Sequence, residues 1–106
     1  RNIWPQDLEW TAEAEVEGLR SGDVAAFSTP GSGEEVVTVL VQTRGGDADS
    51  RLALAENVAT VLRTRHGVEA QVCLVGVHDL PQTSSGKLSR SKAKAAFLAG
   101  AYAKRV

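Results

Sequence analysis

Residues 23–42 read Asp23-Val24-Ala25-Ala26-Phe27-Ser28-Thr29-Pro30-Gly31-Ser32-Gly33-Glu34-Glu35-Val36-Val37-Thr38-Val39-Leu40-Val41-Gln42, and the fold turns on them. Asp23 to Ser28 is a short apolar run bounded by Gly22 and Pro30, which predicts a strand. Glu35 to Gln42 is dense in β-branched residues, which pack well on a pleated surface, and predicts a second strand. The Thr29 to Gly33 segment between them carries a proline and two glycines, the residues of a turn, so the pair reads as a β-hairpin with a loop of five residues or slightly more. Upstream, Pro5 followed by Asp7 and Glu9 has the form of a first helical turn, with proline where no N–H is needed and acids at the positive end of the dipole. That helix is predicted to reach about Glu17, ahead of Gly18. Downstream, Gly45-Gly46 breaks the chain, and Asp49 or Ser50 caps a helix running to about His66. Its apolar face is Leu52, Ala55, Val58, Ala59 and Leu62, and Gly67 stops it. His66 reads as a helix-end residue rather than a ligand. Ala70 to Val77 is a third strand, and Ser89 caps a last helix whose apolar face is Ala93, Ala96, Phe97 and Ala101. The order helix, strand, strand, helix, strand, helix predicts an α+β fold: a small three-stranded sheet packed with about three helices.

The 106 residues suffice for one small domain, and 42% hydrophobic with 24% charged residues is an ordinary globular balance. No apolar run approaches the roughly 18 residues of a membrane span. Cys73 stands alone in the run Val72-Cys73-Leu74-Val75, which excludes an internal disulfide and a multi-cysteine zinc site and predicts a buried, inert thiol. A reducing, cytoplasmic setting fits it. No metal site is expected. The net charge of −1 conceals an asymmetry: residues 1–50 hold ten acids against Arg1, Arg20 and Arg44, whereas residues 81–106 hold six bases and no acid. The basic end suits an anionic partner. Nucleic acid is a poor fit, because the pI is about 6.1 and no aromatic residues interleave with the bases.

The stretch with the most chemistry is Leu80-Pro81-Gln82-Thr83-Ser84-Ser85-Gly86-Lys87-Leu88-Ser89-Arg90. Pro81 stiffens its entry, and Gly86 permits a conformation closed to other residues. Thr83, Ser84 and Ser85 can donate to an anion or brace the loop. Lys87 then presents a mobile point charge at the exit, worth a gross Coulomb term of about 4 kcal/mol at 4 Å from an anion when the effective dielectric is about 20. A phosphate-binding P-loop is excluded: Pro81 stands where its first glycine belongs, and Leu88 stands where its Ser or Thr belongs. The plain alternative is a helix-leading turn with a solvated lysine.

Pro81-Gln82-Thr83-Ser84-Ser85-Gly86-Lys87 resembles the Pro-x-Thr-x-x-Gly-Lys motif near the C-terminus of adenylate-forming enzymes: acyl-CoA synthetases, peptide-synthetase adenylation domains and luciferases. Arg1-Asn2-Ile3-Trp4-Pro5-Gln6-Asp7-Leu8-Glu9 resembles the end of the superfamily's hinge motif. The wording of both is most similar to fatty acyl-AMP ligases, with Trp4 in place of the commoner tyrosine, and Ala25-Ala26-Phe27-Ser28 resembles that branch as well. The resemblance spans the chain. It implies a single mobile C-terminal domain over 1–106, with residues 1–10 the hinge-motif remnant (Arg1, Asn2, Pro5, Asp7, Glu9) and 80–90 the catalytic loop. A chain opening at Arg1 then reads as cut from a longer enzyme.

The resemblance further implies the chemistry. A fatty acid is activated with ATP to acyl-AMP and pyrophosphate, with Mg2+ required in the full-length enzyme and neither group bound by this domain alone. Lys87 would be the catalytic residue, reaching to the carboxylate and α-phosphate held by the enzyme's own N-terminal domain. Rotation about the hinge would then allow transfer of the acyl group to the phosphopantetheine of an acyl carrier protein. The same domain of an acyl-CoA synthetase or a peptide-synthetase adenylation domain is the alternative. A freestanding anion-binding module is a third reading, and the only one that needs no second domain.

Overall fold

A computed structural model describes residues 4–30, 33, 35–76 and 79–102. The elements are α1 (Pro5–Glu15), β1 (Val24–Pro30), β2 (Glu35–Gln42), α2 (Ala48–His66), β3 (Ala70–Val75) and α3 (Arg90–Leu98), in the predicted order. The sheet order is β1-β2-β3. β1 pairs antiparallel with β2, as the hairpin reading requires, in the register Val24 to Val41 through Pro30 to Glu35. β3 lies parallel to β2, Val37 to Ala70 through Gln42 to Val75. Parallel neighbours need a long crossover, and α2 supplies it.

Alternation along the strands divides the core between two faces. Val24, Ala26, Val39 and Val41 meet Leu8, Ala12, Val58 and Leu62 of α1 and α2. Ala25, Phe27, Leu40, Cys73 and Val75 meet Leu80, Ala93 and Tyr102, with Phe97 packed alongside. The sheet is therefore the middle layer, with two helices on one side and α3 on the other. Phe27 and Phe97 make a tilted ring contact at 5.8 Å between centroids. The central strand β2 is enclosed on both sides, so even Thr38 is buried there, its hydroxyl satisfied by that of Thr29 at 3.0 Å. α1 and α2 are also tied at their ends, where Thr11 Oγ1 and His66 Nε2 lie 2.8 Å apart and Arg65 pairs with Glu15.

Element ends and one helix face depart from the expectations. α1 stops at Glu15, two residues early, because Val16 turns extended and buries its side chain. β1 continues past Ser28 to Pro30, which an edge strand tolerates because no partner needs the missing N–H. α2 begins at Ala48 and is capped by Asp47, whose carboxylate accepts the Ser50 N–H at 2.8 Å; neither Asp49 nor Ser50 caps it. Leu52 is 61% exposed, contrary to its expected place on the core face. At 3.6 residues per turn it sits roughly 120° round the helix from Val58, whereas Leu54 lies within about 40° and packs inward. α3 ends at Leu98, leaving Ala101 exposed; Tyr102 fills the core instead, its hydroxyl donating to the Asp79 carbonyl at 3.0 Å. The turn residues Gly31 and Ser32, the strand end at Val77, and His78 lie outside the described residues.

Cys73 is buried as predicted, and burial pushes its thiol upward from the ordinary range. A thiol reagent should therefore react far more slowly with the folded chain than with the unfolded one, a difference that timed labelling with and without denaturant will measure.

Candidate functional site

The lysine loop is a small hairpin set on the core. Leu80, 5% exposed, anchors its entry. The Ser89 N–H donates to the Pro81 carbonyl at 2.9 Å, Gln82 and Leu88 form an antiparallel bridge, and the Thr83 N–H donates to the Lys87 carbonyl at 2.7 Å. The tip closes as a four-residue turn in which the Gly86 N–H donates to the Thr83 carbonyl at 2.9 Å. Gly86 takes φ of +84°, and a Cβ there would meet no atom within 4 Å, so the glycine serves conformation and not space. Ser89 caps α3 by accepting the Lys92 N–H.

This geometry decides between the two roles open to the hydroxyls. Thr83 Oγ1 lies 3.0 Å from Ser85 Oγ and accepts the Lys87 N–H at 3.3 Å. With the Thr83, Gly86 and Lys87 N–H groups bonded inside the loop, Thr83 and Ser85 brace the turn. They do not form a cradle of free donors for an anion. Ser84 is exposed at the tip. The Lys87 side chain is exposed, and among the described residues its ammonium makes no ion pair. A rigid turn therefore presents one free cation.

Lys87 stands on the wall of an open cleft of about 1150 Å³ between the loop, α1 and the approach to β1. Trp10, 58% exposed, lies on the same wall system, with Arg20 and Arg44 at the far end. Of the hinge-motif residues, Pro5 opens α1 as expected and Asp7 is the exposed acid of its first turn. Arg1 and Asn2 lie outside the described residues.

Glu9 differs from Asp7. It is 5% exposed, accepts the Ala26 N–H at 2.9 Å, and receives Arg90 Nε and Nη2 at 2.7 Å each. The bidentate contact holds the Arg90 guanidinium more firmly protonated. One turn later, Glu13 accepts the Gly22 N–H at 3.0 Å and lies against that of Val24. Burial raises the Glu13 carboxyl despite these contacts. Four helical residues rise about 6 Å and two strand residues about 6.6 Å, so carboxylates at i and i+4 match alternate N–H groups of the outer edge of β1. That covers an edge otherwise open to strand addition.

A second buried carboxylate, Asp23, closes the far end of the cleft. It accepts the Arg20 N–H at 2.8 Å, Gln42 Nε2 at 3.1 Å, and Arg44 Nη1 and Nη2 at 2.7 and 2.8 Å. Sequence reasoning placed Asp23 at a strand start and gave Arg44 and Arg90 no role. Their partners are distant in sequence, and no periodicity marks them.

Among the described residues, no group of three or more His, Cys, Asp or Glu can hold a metal ion, and no helix is long and apolar enough to cross a membrane.

No family model matches the sequence. Curated relatives do. The "Putative acyl-CoA synthetase" of Caulobacter vibrioides is 76% identical over 96% of this chain. The long-chain-fatty-acid–AMP ligase FadD32 of Mycobacterium marinum is 31% identical over 94% of it, and the medium-chain-fatty-acid–[acyl-carrier-protein] ligase JamA of Moorena producens 34% over 94%. The chain spans 17–19% of the length of these relatives. A structure from work on fatty acyl-adenylate ligases of E. coli and L. pneumophila superposes with a TM-score of 0.80 at 39% identity, covering 98% of this chain and 18% of that one. McyG A-PCP complexed with phenylalanyl-adenylate shares the fold alone, with a TM-score of 0.88 at 21% identity over 100% of this chain and 17% of that one. By sequence and by fold, this chain belongs with the C-terminal domains of adenylate-forming enzymes, among relatives that include acyl-CoA synthetases and fatty acyl-AMP ligases.

Proposed function

We propose that this chain is the mobile C-terminal domain of a cytoplasmic fatty acyl-AMP ligase, and that Lys87 is its catalytic residue. The observation that carries the reading is the exposed Lys87 ammonium, which makes no ion pair among the described residues, on an internally braced turn. Such a cation acts on charge supplied from outside this chain. In the parent, a fatty-acid carboxylate oxygen bonds to the α-phosphorus of ATP, the bond to pyrophosphate breaks, and acyl-AMP forms. Lys87 approaches the carboxylate and the α-phosphate, holds the two in line, and stabilises the charge spread over the transferring group. It transfers no proton. We assign the Mg2+ that accompanies ATP to the parent's N-terminal adenylation domain, with the nucleotide. Pro81 and Gly86 shape the turn, Thr83 and Ser85 brace it, and Ser84 sits at its tip. Pro5, Asp7 and Glu9 belong to the helix that follows the hinge, with Arg1 and Asn2 before it.

For the second half-reaction we propose an acyl carrier protein as acceptor, its phosphopantetheine sulfur displacing AMP. The name of the JamA relative, a fatty-acid–[acyl-carrier-protein] ligase, supports this. A coenzyme A acceptor is the second reading, favoured by the name of the 76% identical Caulobacter relative. Supplying acyl-AMP to the full-length parent with either acceptor separates them. Carrier-protein thioester is expected to form at least tenfold faster than acyl-CoA, by mass spectrometry of both products; a faster acyl-CoA product overturns the choice of acceptor while leaving the first half-reaction untouched.

A further inference from the structure

The lysine loop is stiff within itself, so the orientation of Lys87 depends on how the base of the loop is held. One side of the base is Leu80, set in the core. The other is Ser89 and Arg90, where α3 begins. Besides the apolar packing of α3 on β1, Arg90 makes a polar contact that ties this side to α1. Its guanidinium Nε and Nη2 donate to the two carboxylate oxygens of the buried Glu9 of α1 at 2.7 Å each, across 81 positions of sequence. Glu9 is itself immobilised by the Ala26 N–H of β1. One carboxylate thus locks the loop base, α1 and the sheet edge to one another. Three residues from base to tip span about 10 Å, so a tilt of about 6° at Arg90 moves Lys87 by about 1 Å, a displacement that can cost a positioned group about 10²-fold in rate.

We propose that Glu9 and Arg90 are a positioning pair for Lys87, holding the loop as a rigid extension of α1 so that the lysine arrives in register when the domain docks. The inference rests on the role given to Lys87 above. Neither residue touches substrate. Their effect passes through Lys87 and should be confined to the half-reaction that uses it.

The test uses the full-length parent with Arg90→Ala, Arg90→Lys, Lys87→Ala and the double variant Lys87→Ala/Arg90→Ala. Arg90→Ala should lower kcat for fatty-acid-dependent pyrophosphate release by about 10²-fold, with KM for ATP and fatty acid nearly unchanged. Its use of supplied acyl-AMP should stay near wild type. Arg90→Lys keeps the charge but loses the fork, and should recover part of the rate with an unaltered fold. In the Lys87→Ala background, Arg90→Ala should cost little more, because the lysine through which it acts is gone. An additive loss, or equal damage to both half-reactions, overturns the positioning role and leaves a structural one. Hydrogen exchange separates this from failure of the functional reading. If the wild-type parent releases no pyrophosphate with any fatty acid, the reading of Lys87 fails. The pair is then judged on the 81–89 segment, where Arg90→Ala should speed exchange while β2 stays protected; unchanged exchange there overturns the pair itself.

Discussion

Replacing Lys87 with alanine in the full-length parent should reduce fatty-acid-dependent pyrophosphate release by about 10²–10³-fold, the usual cost of removing one preorganised charge or donor from a transition state. The loop explains why the loss should be this specific. The Thr83, Gly86 and Lys87 N–H groups and the Thr83 and Ser85 hydroxyls are bonded inward, and no other side chain of the turn carries a positive charge to replace the ammonium. The side chain is exposed and makes no ion pair among the described residues, so its removal strands no buried partner and should leave stability within about 0.5 kcal/mol of wild type. Lys87→Arg should restore only a fraction of the rate, because a planar fork presents its charge differently from a compact ammonium. Transfer from supplied acyl-AMP should survive Lys87→Ala. Normal pyrophosphate release by Lys87→Ala, measured alongside an unchanged melting profile, would remove Lys87 from the mechanism.

Asp23→Ala should destabilise the 106-residue chain by about 3 kcal/mol, read from the midpoint of urea denaturation. Asp23 is 1% exposed and accepts from the Arg20 backbone, from Gln42 and twice from Arg44, so truncation leaves several donors facing a void. Arg44, at 36% side-chain exposure, can still reach water, which keeps the cost below that of a fully enclosed pair. The same residue sets part of the acid sensitivity. Burial alone would raise its carboxyl, but the Arg44 contact, the Arg20 N–H, the Arg44 charge and the Gln42 amide outweigh it and hold it below the ordinary 3.8. A carboxyl depressed by folding contributes stability that is fully present above its unfolded value and disappears as pH falls through its folded one. Asp23→Asn should therefore lose stability at pH 7 yet show a shallower decline below about pH 4 than wild type. An equally steep acid decline in Asp23→Asn would assign that sensitivity to other carboxylates.

What the sequence determined by itself is local. β-branched density marked β2, and glycine and proline marked the turns and element ends. These signals depend on neighbours within a few positions, and the chain obeys them. The Lys87 loop was legible for the same reason: its proline, hydroxyls, glycine and lysine are contiguous. What only the tertiary structure decided involves residues far apart in sequence. The parallel pairing of β3 with β2 depends on where α2 returns the chain. Leu52 and Leu54 are equally apolar, and only the start of α2 at Ala48 and its packing turn the second inward. Above all, Asp7 and Glu9 look alike as acids in a first helical turn, yet one faces water and the other is buried against Arg90 and β1. A carboxylate pairs with whatever folding brings within about 3 Å of it, and no pattern in one dimension records that distance.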